Sequence, residues 1–197
     1  PSPPLRRDSQ PEDHREERVA ETRYAIVHIP HSSGLLPEEY REQFLLSDRA
    51  LGREKLLLTD AFTDEIFAID DDLVTTVKYP VSRLLVDPER MQEDDDEPMA
   101  AVGMGAVYTR RCDGRPLRRE LSSSERKKLL FKYYTRHHRA VGEAVEKALS
   151  PCGPALIIDC HSFPSSPLPC DADQSTPRPD ICIGTDPFHT PRWLPES

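Results

Sequence analysis

Apolar residues along this chain gather into short runs separated by polar, proline-rich stretches, and three of the runs have strand character. YAIVHI, from Tyr24, is apolar and β-branched until Pro30 ends it and opens the polar loop HSSG. LVTTVKYPVSRLLVD is again rich in β-branched residues but is broken by Pro80, which predicts two strands or one bent strand. ALIID, which follows the Pro151–Pro154 breaker, is the third.

Helical spacing fills two of the gaps. LLLTDAFTDEIFAID places Phe62, Ile66, Phe67 and Ile69 in an apolar stripe behind a Thr59 or Asp60 cap, which sets Asp60 and Asp64 on one face. Ser122 and Glu125 have the S-x-x-E spacing of a capping box and predict a long helix up to Pro151. Leu129, Tyr133, His137, Val141 and Val145 run along one face of it, with Leu130, Tyr134 and His138 beside them. The polar, glycine-containing stretch from Asp87 to Pro116 predicts a long irregular segment, a lid or a binding loop. Strands alternating with helices imply an α/β domain, in which ligands sit beyond the carboxyl ends of the strands.

Composition alters this picture mainly at the margins. Hydrophobic residues make up 37% of the 197 and charged ones 31%, with 20 prolines, as expected for one folded centre carrying irregular segments. Residues 1–21 contain almost nothing apolar and are expected to form a disordered polar tail ahead of a single domain over residues 22–197. A formal charge of −9 argues against a nucleic-acid surface and requires local arginines for any anionic substrate. Apolar runs of about four residues fall far short of the roughly 20 needed to span a membrane. With no apolar signal core near the N-terminus, the expected location is the cytoplasm. The cysteines, Cys112, Cys152, Cys160, Cys170 and Cys182, are odd in number and form no C-x-x-C pair, so reduced thiols without structural zinc are expected.

Chemistry-bearing residues collect where the strands end. His28 and His31 close the first strand and His161 the last, in loops that also contain serine. Two imidazoles and one acid suffice for a catalytic Zn²⁺ with an open position for water. Asp159 lies two residues before His161, on the same face of the strand, where it can orient the ring from behind. Cys160 points the other way and is expected to pack rather than react.

HIPHSSG, LTDAFTDEIF, SRLLVDPER, DDDEPM, GMGAVYTRRCDGRPLR, YYTRHHRAV, IIDCHSF and PDICIGTD occur in the order and approximate spacing of one known family. From about Thr22 to Phe188 the chain resembles the N-formylglutamate amidohydrolases. The resemblance implies a three-layer αβα fold with a twisted mixed sheet, similar to zinc carboxypeptidases and aspartoacylases. It implies Zn²⁺ held by His31, Asp64 and His161, with Asp60 as the rival acid. It also implies Arg83, Arg90 and Tyr108 as contacts to a small acidic N-acyl amino acid, and His138 as a polar group of the site. The implied reaction is hydrolysis of N-formyl-L-glutamate to formate and L-glutamate.

Two departures from the family pattern carry expectations of their own. Thr135 and Arg136 stand where many relatives have a proline, which should leave the helix more regular. The chain stops soon after PDICIGTD, before the segment in which relatives carry a glutamate thought to act as general base, so a truncated domain with impaired activity is expected. Two other readings stay open: a zinc acylase or peptidase for a different acidic N-acyl substrate, and a catalytically silent binding protein.

Overall fold

The computed structural model describes residues 25–190; the polar tail expected over residues 1–21 lies outside them. Its centre is a three-stranded sheet of β1 (Ala25–Ile29), β2 (Val74–Lys78) and β3 (Leu156–Asp159) in the order β2-β1-β3. Both pairings are parallel, so the described residues show a parallel sheet where a mixed one was expected. The period-two alternation of β1 explains its double burial. Ile26 packs with Val77, Ala144 and Ala148 on one face, while Val27 and Ile29 meet Cys160 on the other. Register sets His28 beside Asp159, which brings the carboxyl ends of β1 and β3 together.

The helices depart from expectation in two places. Helix α1 (Asp48–Leu58), capped by Ser47, stops at Thr59, and only the single turn α2 (Thr63–Ile66) follows. The anticipated helix from Thr59 or Asp60 does not form, because the Asp60 amide is bonded to the His31 carbonyl at 3.0 Å and Phe62 takes a left-handed conformation at φ 62°. Phe62, Ile66 and Ile69, read as a packed stripe, are exposed.

The Ser122–Glu125 capping box is present with both reciprocal bonds and opens α3 (Ser123–Leu129). Leu130–Thr135 then forms a π turn before α4 (Arg136–Cys152), so the helix expected to be regular around Thr135 and Arg136 is interrupted there. Helix α4 covers β1 and β2. No helix among the described residues is long and apolar enough to cross a membrane.

The largest core lies beside the sheet and is built from irregular chain. Tyr79, Leu84, Leu85, Val86 and Tyr108 are sealed from solvent there, and each buried aliphatic side chain contributes roughly 1.5–3 kcal/mol. The VSRLLVD segment, expected to be strand, is a series of turns in this core. Buried Arg118 holds it in place, donating to the carbonyls of Leu84 and Leu85 while its guanidinium lies over the Phe44 ring. With no carboxylate partner among the described residues, burial lowers the Arg118 pKa to about 9. The chain entering Asp87 is therefore fixed.

A candidate metal and substrate site

His31 lies two residues beyond β1, after Pro30, and its buried ring is gripped at one nitrogen. Its Nε2 bonds Oδ1 of Asp87 at 2.9 Å, which leaves Nδ1 buried with no hydrogen-bond partner among the described residues. That orphaned Nδ1 faces Glu89 Oε2 at 3.2 Å and Asp60 Oδ2 at 3.9 Å. His161, two residues past β3, mirrors this arrangement. Its Nδ1 bonds Asp60 Oδ2 at 2.9 Å, and its Nε2 lies 3.3 Å from Glu89 Oε1. Each imidazole thus has one nitrogen on a carboxylate behind it and the other turned towards Glu89. His31, Glu89 and His161 form a group whose ligand atoms all lie within 4.8 Å of one another.

The electrostatics follow from crowding. Burial alone would keep the His161 ring neutral, but hydrogen bonds to Asp159, Asp60 and Glu89 outweigh it and push its pKa up to about 12. Asp87 is also buried, yet the Arg83 guanidinium and His31 hold its carboxyl well below the usual carboxylate range. Four carboxylates, Asp60, Asp87, Glu89 and Asp159, surround two imidazoles that are neutral when they act as ligands, so the site favours a cation. Two nitrogens and a carboxylate oxygen, each nitrogen backed by a second acid, suit the borderline Zn²⁺ ion.

Asp64 is not brought to the histidines: its carboxylate is paired with Lys78. The rival, Asp60, is in the site, behind His161. Glu89 escaped sequence reasoning because it lies in an irregular turn with no periodicity, where its amide caps back onto Asp87 Oδ1 at 3.0 Å. Asp159 does not stand behind His161 as expected: its Oδ2 lies 3.6 Å from Nε2, the nitrogen turned towards Glu89, and its other oxygen has a shorter bond with His28 Nδ1 at 2.8 Å, so the acid that backs His161 is Asp60. His28 Nε2 in turn meets His137 Nε2 at 2.7 Å, so His137, read as helix-face packing, belongs to a chain running from α4 to the site. His138 does not line the cavity; its Nε2 bonds the Pro88 carbonyl at 2.8 Å and supports the turn that carries Glu89.

A cavity of about 550 Å³ opens beside these groups, lined in part by Asp60, Arg83, Arg90, Tyr108, His161 and Arg178. Arg83 and Tyr108 are both committed to Asp87. Arg83 donates through Nε and Nη2 at 3.1 and 2.9 Å, and the Tyr108 hydroxyl donates at 2.6 Å. Arg90 is the less occupied arginine. Its nearest carboxylates, Asp87 and Glu97, are 3.7 and 3.9 Å away, and its buried Nε has no hydrogen-bond partner. Cys112 and Cys170, expected as thiols, form a disulfide that ties one wall of the cavity to the core; a separation of 58 residues gave no local signal of it.

The sequence pattern of the N-formylglutamate amidohydrolases matches residues 24–194. The chain belongs to the N-formylglutamate amidohydrolase family. An N-formylglutamate deformylase from Pseudomonas aeruginosa is 31% identical to this family member over 125 residues, covering 60% of this chain and 46% of that protein. The crystal structure of an N-formylglutamate amidohydrolase from Ralstonia eutropha aligns with a TM-score of 0.63 at 21% identity, over 75% of this chain and 56% of that one. That likeness concerns the fold. This amidohydrolase family member spans about half the length of the relatives it matches.

Proposed function

We propose that this chain carries the metal and substrate centre of a zinc-dependent hydrolase that cleaves the formyl amide of N-formyl-L-glutamate. The carrying observation is the pair of imidazoles, His31 and His161, each backed by an acid and turned on Glu89, with the buried His31 Nδ1, which has no hydrogen-bond partner among the described residues, pointing the same way. His31 Nδ1, His161 Nε2 and Glu89 would hold the ion. A Zn²⁺ ion held there would supply Lewis acidity for the formyl carbonyl and for activating water near neutral pH.

The remaining work falls to side chains. Asp87 fixes the tautomer of His31 by accepting from Nε2–H, and Asp60 does the same for Nδ1–H of His161. Arg83 and Tyr108 neutralise and hold Asp87 rather than meet substrate. Arg90, with open donors beside the cavity, binds a substrate carboxylate and orients the amide.

The test is zinc content by mass spectrometry, with formate release from N-formylglutamate, for the wild type and for His31→Ala, His161→Ala and Asp64→Ala. The two histidine variants should lose bound zinc, and Asp64→Ala should retain it. Undiminished tight zinc in both histidine variants would overturn the assignment.

A further inference from the structure

Three guanidiniums line the cavity, and they are not equally free. Arg83 is spent on Asp87. The Arg90 guanidinium makes no hydrogen bond among the described residues and is already assigned to one carboxylate. Arg178 is anchored but not saturated. Its Nη1 donates to Asp171 Oδ2 at 3.0 Å and lies 3.5 Å from the Pro164 carbonyl, while Nε and Nη2 take no partner among the described residues. The face of its guanidinium rests 4.8 Å from the centroid of the Phe163 ring, which fixes the plane of the fork.

The segment that carries Arg178 is knit together. Asp171 also accepts from the Leu168 amide at 2.9 Å, and Gln174 Nε2 bonds the carbonyls of Leu168 and Asp171 at 2.9 and 2.7 Å. The Cys112–Cys170 disulfide pins the same segment to the core. We propose that Arg178 is a specificity-determining residue that binds the side-chain carboxylate of a dicarboxylic N-acyl amino acid, while Arg90 takes the α-carboxylate. This rests on the hydrolase reading above and extends it to substrate choice.

Reach is consistent with this division. Phe163, under Arg178, is two residues from His161, at most about 7 Å along the backbone. In an extended N-formylglutamate the formyl carbon and the side-chain carboxyl are five bonds apart, about 6 Å on similar covalent geometry. A net charge of −9 gives a dianion no general attraction, so two local forks must supply it.

The test is calorimetric binding of L-glutamate and its uncharged isostere L-glutamine to the zinc-loaded chain, for wild type, Arg178→Met, Arg178→Lys and Arg90→Met. The wild type should prefer glutamate. Arg178→Met should weaken glutamate roughly 10- to 100-fold and glutamine by no more than about threefold, with Arg178→Lys in between. Arg90→Met should weaken both ligands together. A glutamate preference retained in Arg178→Met overturns the proposal and leaves the hydrolase reading standing if Arg90→Met still weakens both. Wild type that binds neither ligand, or an Arg90→Met that binds both normally, overturns the two readings together. If Arg178→Met binds neither ligand, Arg178→Lys decides: glutamine retained with glutamate weakened upholds the proposal, and both retained at wild-type strength overturns it.

Discussion

Leu84, Leu85 and Val86 are each 0% exposed, whereas Leu156, Ile157 and Ile158 are 45, 48 and 40% exposed. In sequence the two triplets look alike, apolar runs that each end in an aspartate of the site, Asp87 and Asp159. In the fold the first lies in irregular chain wrapped by the largest core, and the second is β3, which pairs with one strand, β1, among the described residues. An apolar run states how strongly a segment seeks burial; it does not state what covers it. The site inherits this asymmetry. His31, Asp87, Arg83 and Tyr108 stand on a rigid side, and His161, Asp159 and Arg178 on a thinly covered one.

The sharpest way to break this contrast is to remove each aspartate in turn. Asp87→Ala strips a buried carboxylate from Arg83, His31 and Tyr108 and should cost about 3–5 kcal/mol in denaturant unfolding. Asp159→Ala, on the half-exposed side, should cost about 1 kcal/mol. Comparable costs would show that the two sides are equally constrained.

A second test uses pH. Burial, with His28 and His138 nearby, lowers the pKa of His137 to about 4 from an ordinary value of 6.5. The unfolded chain takes up this proton first, so His137 contributes stability above pH 6.5 that is lost as the pH falls towards 4, at most about 3 kcal/mol. Unfolding curves between pH 7 and 4 should show this loss in wild type and a smaller one in His137→Phe.

Smaller effects sharpen the comparison. Reducing the Cys112–Cys170 disulfide, or Cys112→Ser, should cost about 2 kcal/mol and speed amide hydrogen exchange in residues 163–178 more than in residues 79–87. Ile157→Thr should change stability by less than about 1 kcal/mol, whereas Leu85→Ala should cost about 2–5 kcal/mol. If both substitutions cost the same, β3 is covered in solution.

How much of this was legible depended on the range of the interaction. The Ser122–Glu125 box is a local arrangement and appears as its spacing implied. His31 and His161 were found because each follows an apolar strand, and parallel register then places them together. Asp64 came with the family resemblance, and helical spacing set it on one face with its rival Asp60; a tertiary bond from the Asp60 amide to the His31 carbonyl stops that helix, and Asp64 pairs with Lys78 instead. Glu89, the Asp159–His28–His137 chain and the disulfide depend on contacts between distant segments, to which neither periodicity nor capping chemistry refers.

The π turn at Leu130–Thr135 sets the rotational phase of everything after it. An i→i+5 turn amounts to one extra residue in an α-helix, which advances the following side chains by about 100° around the axis. With that offset, His137 meets His28 and His138 meets the Pro88 carbonyl. Closing the bulge into α pairing without removing a residue would rotate both imidazoles off their partners, whereas deleting one residue between Leu130 and Thr135 would close it and keep them in phase. The irregularity works as a vernier, setting the angle at which α4 meets the ends of the strands.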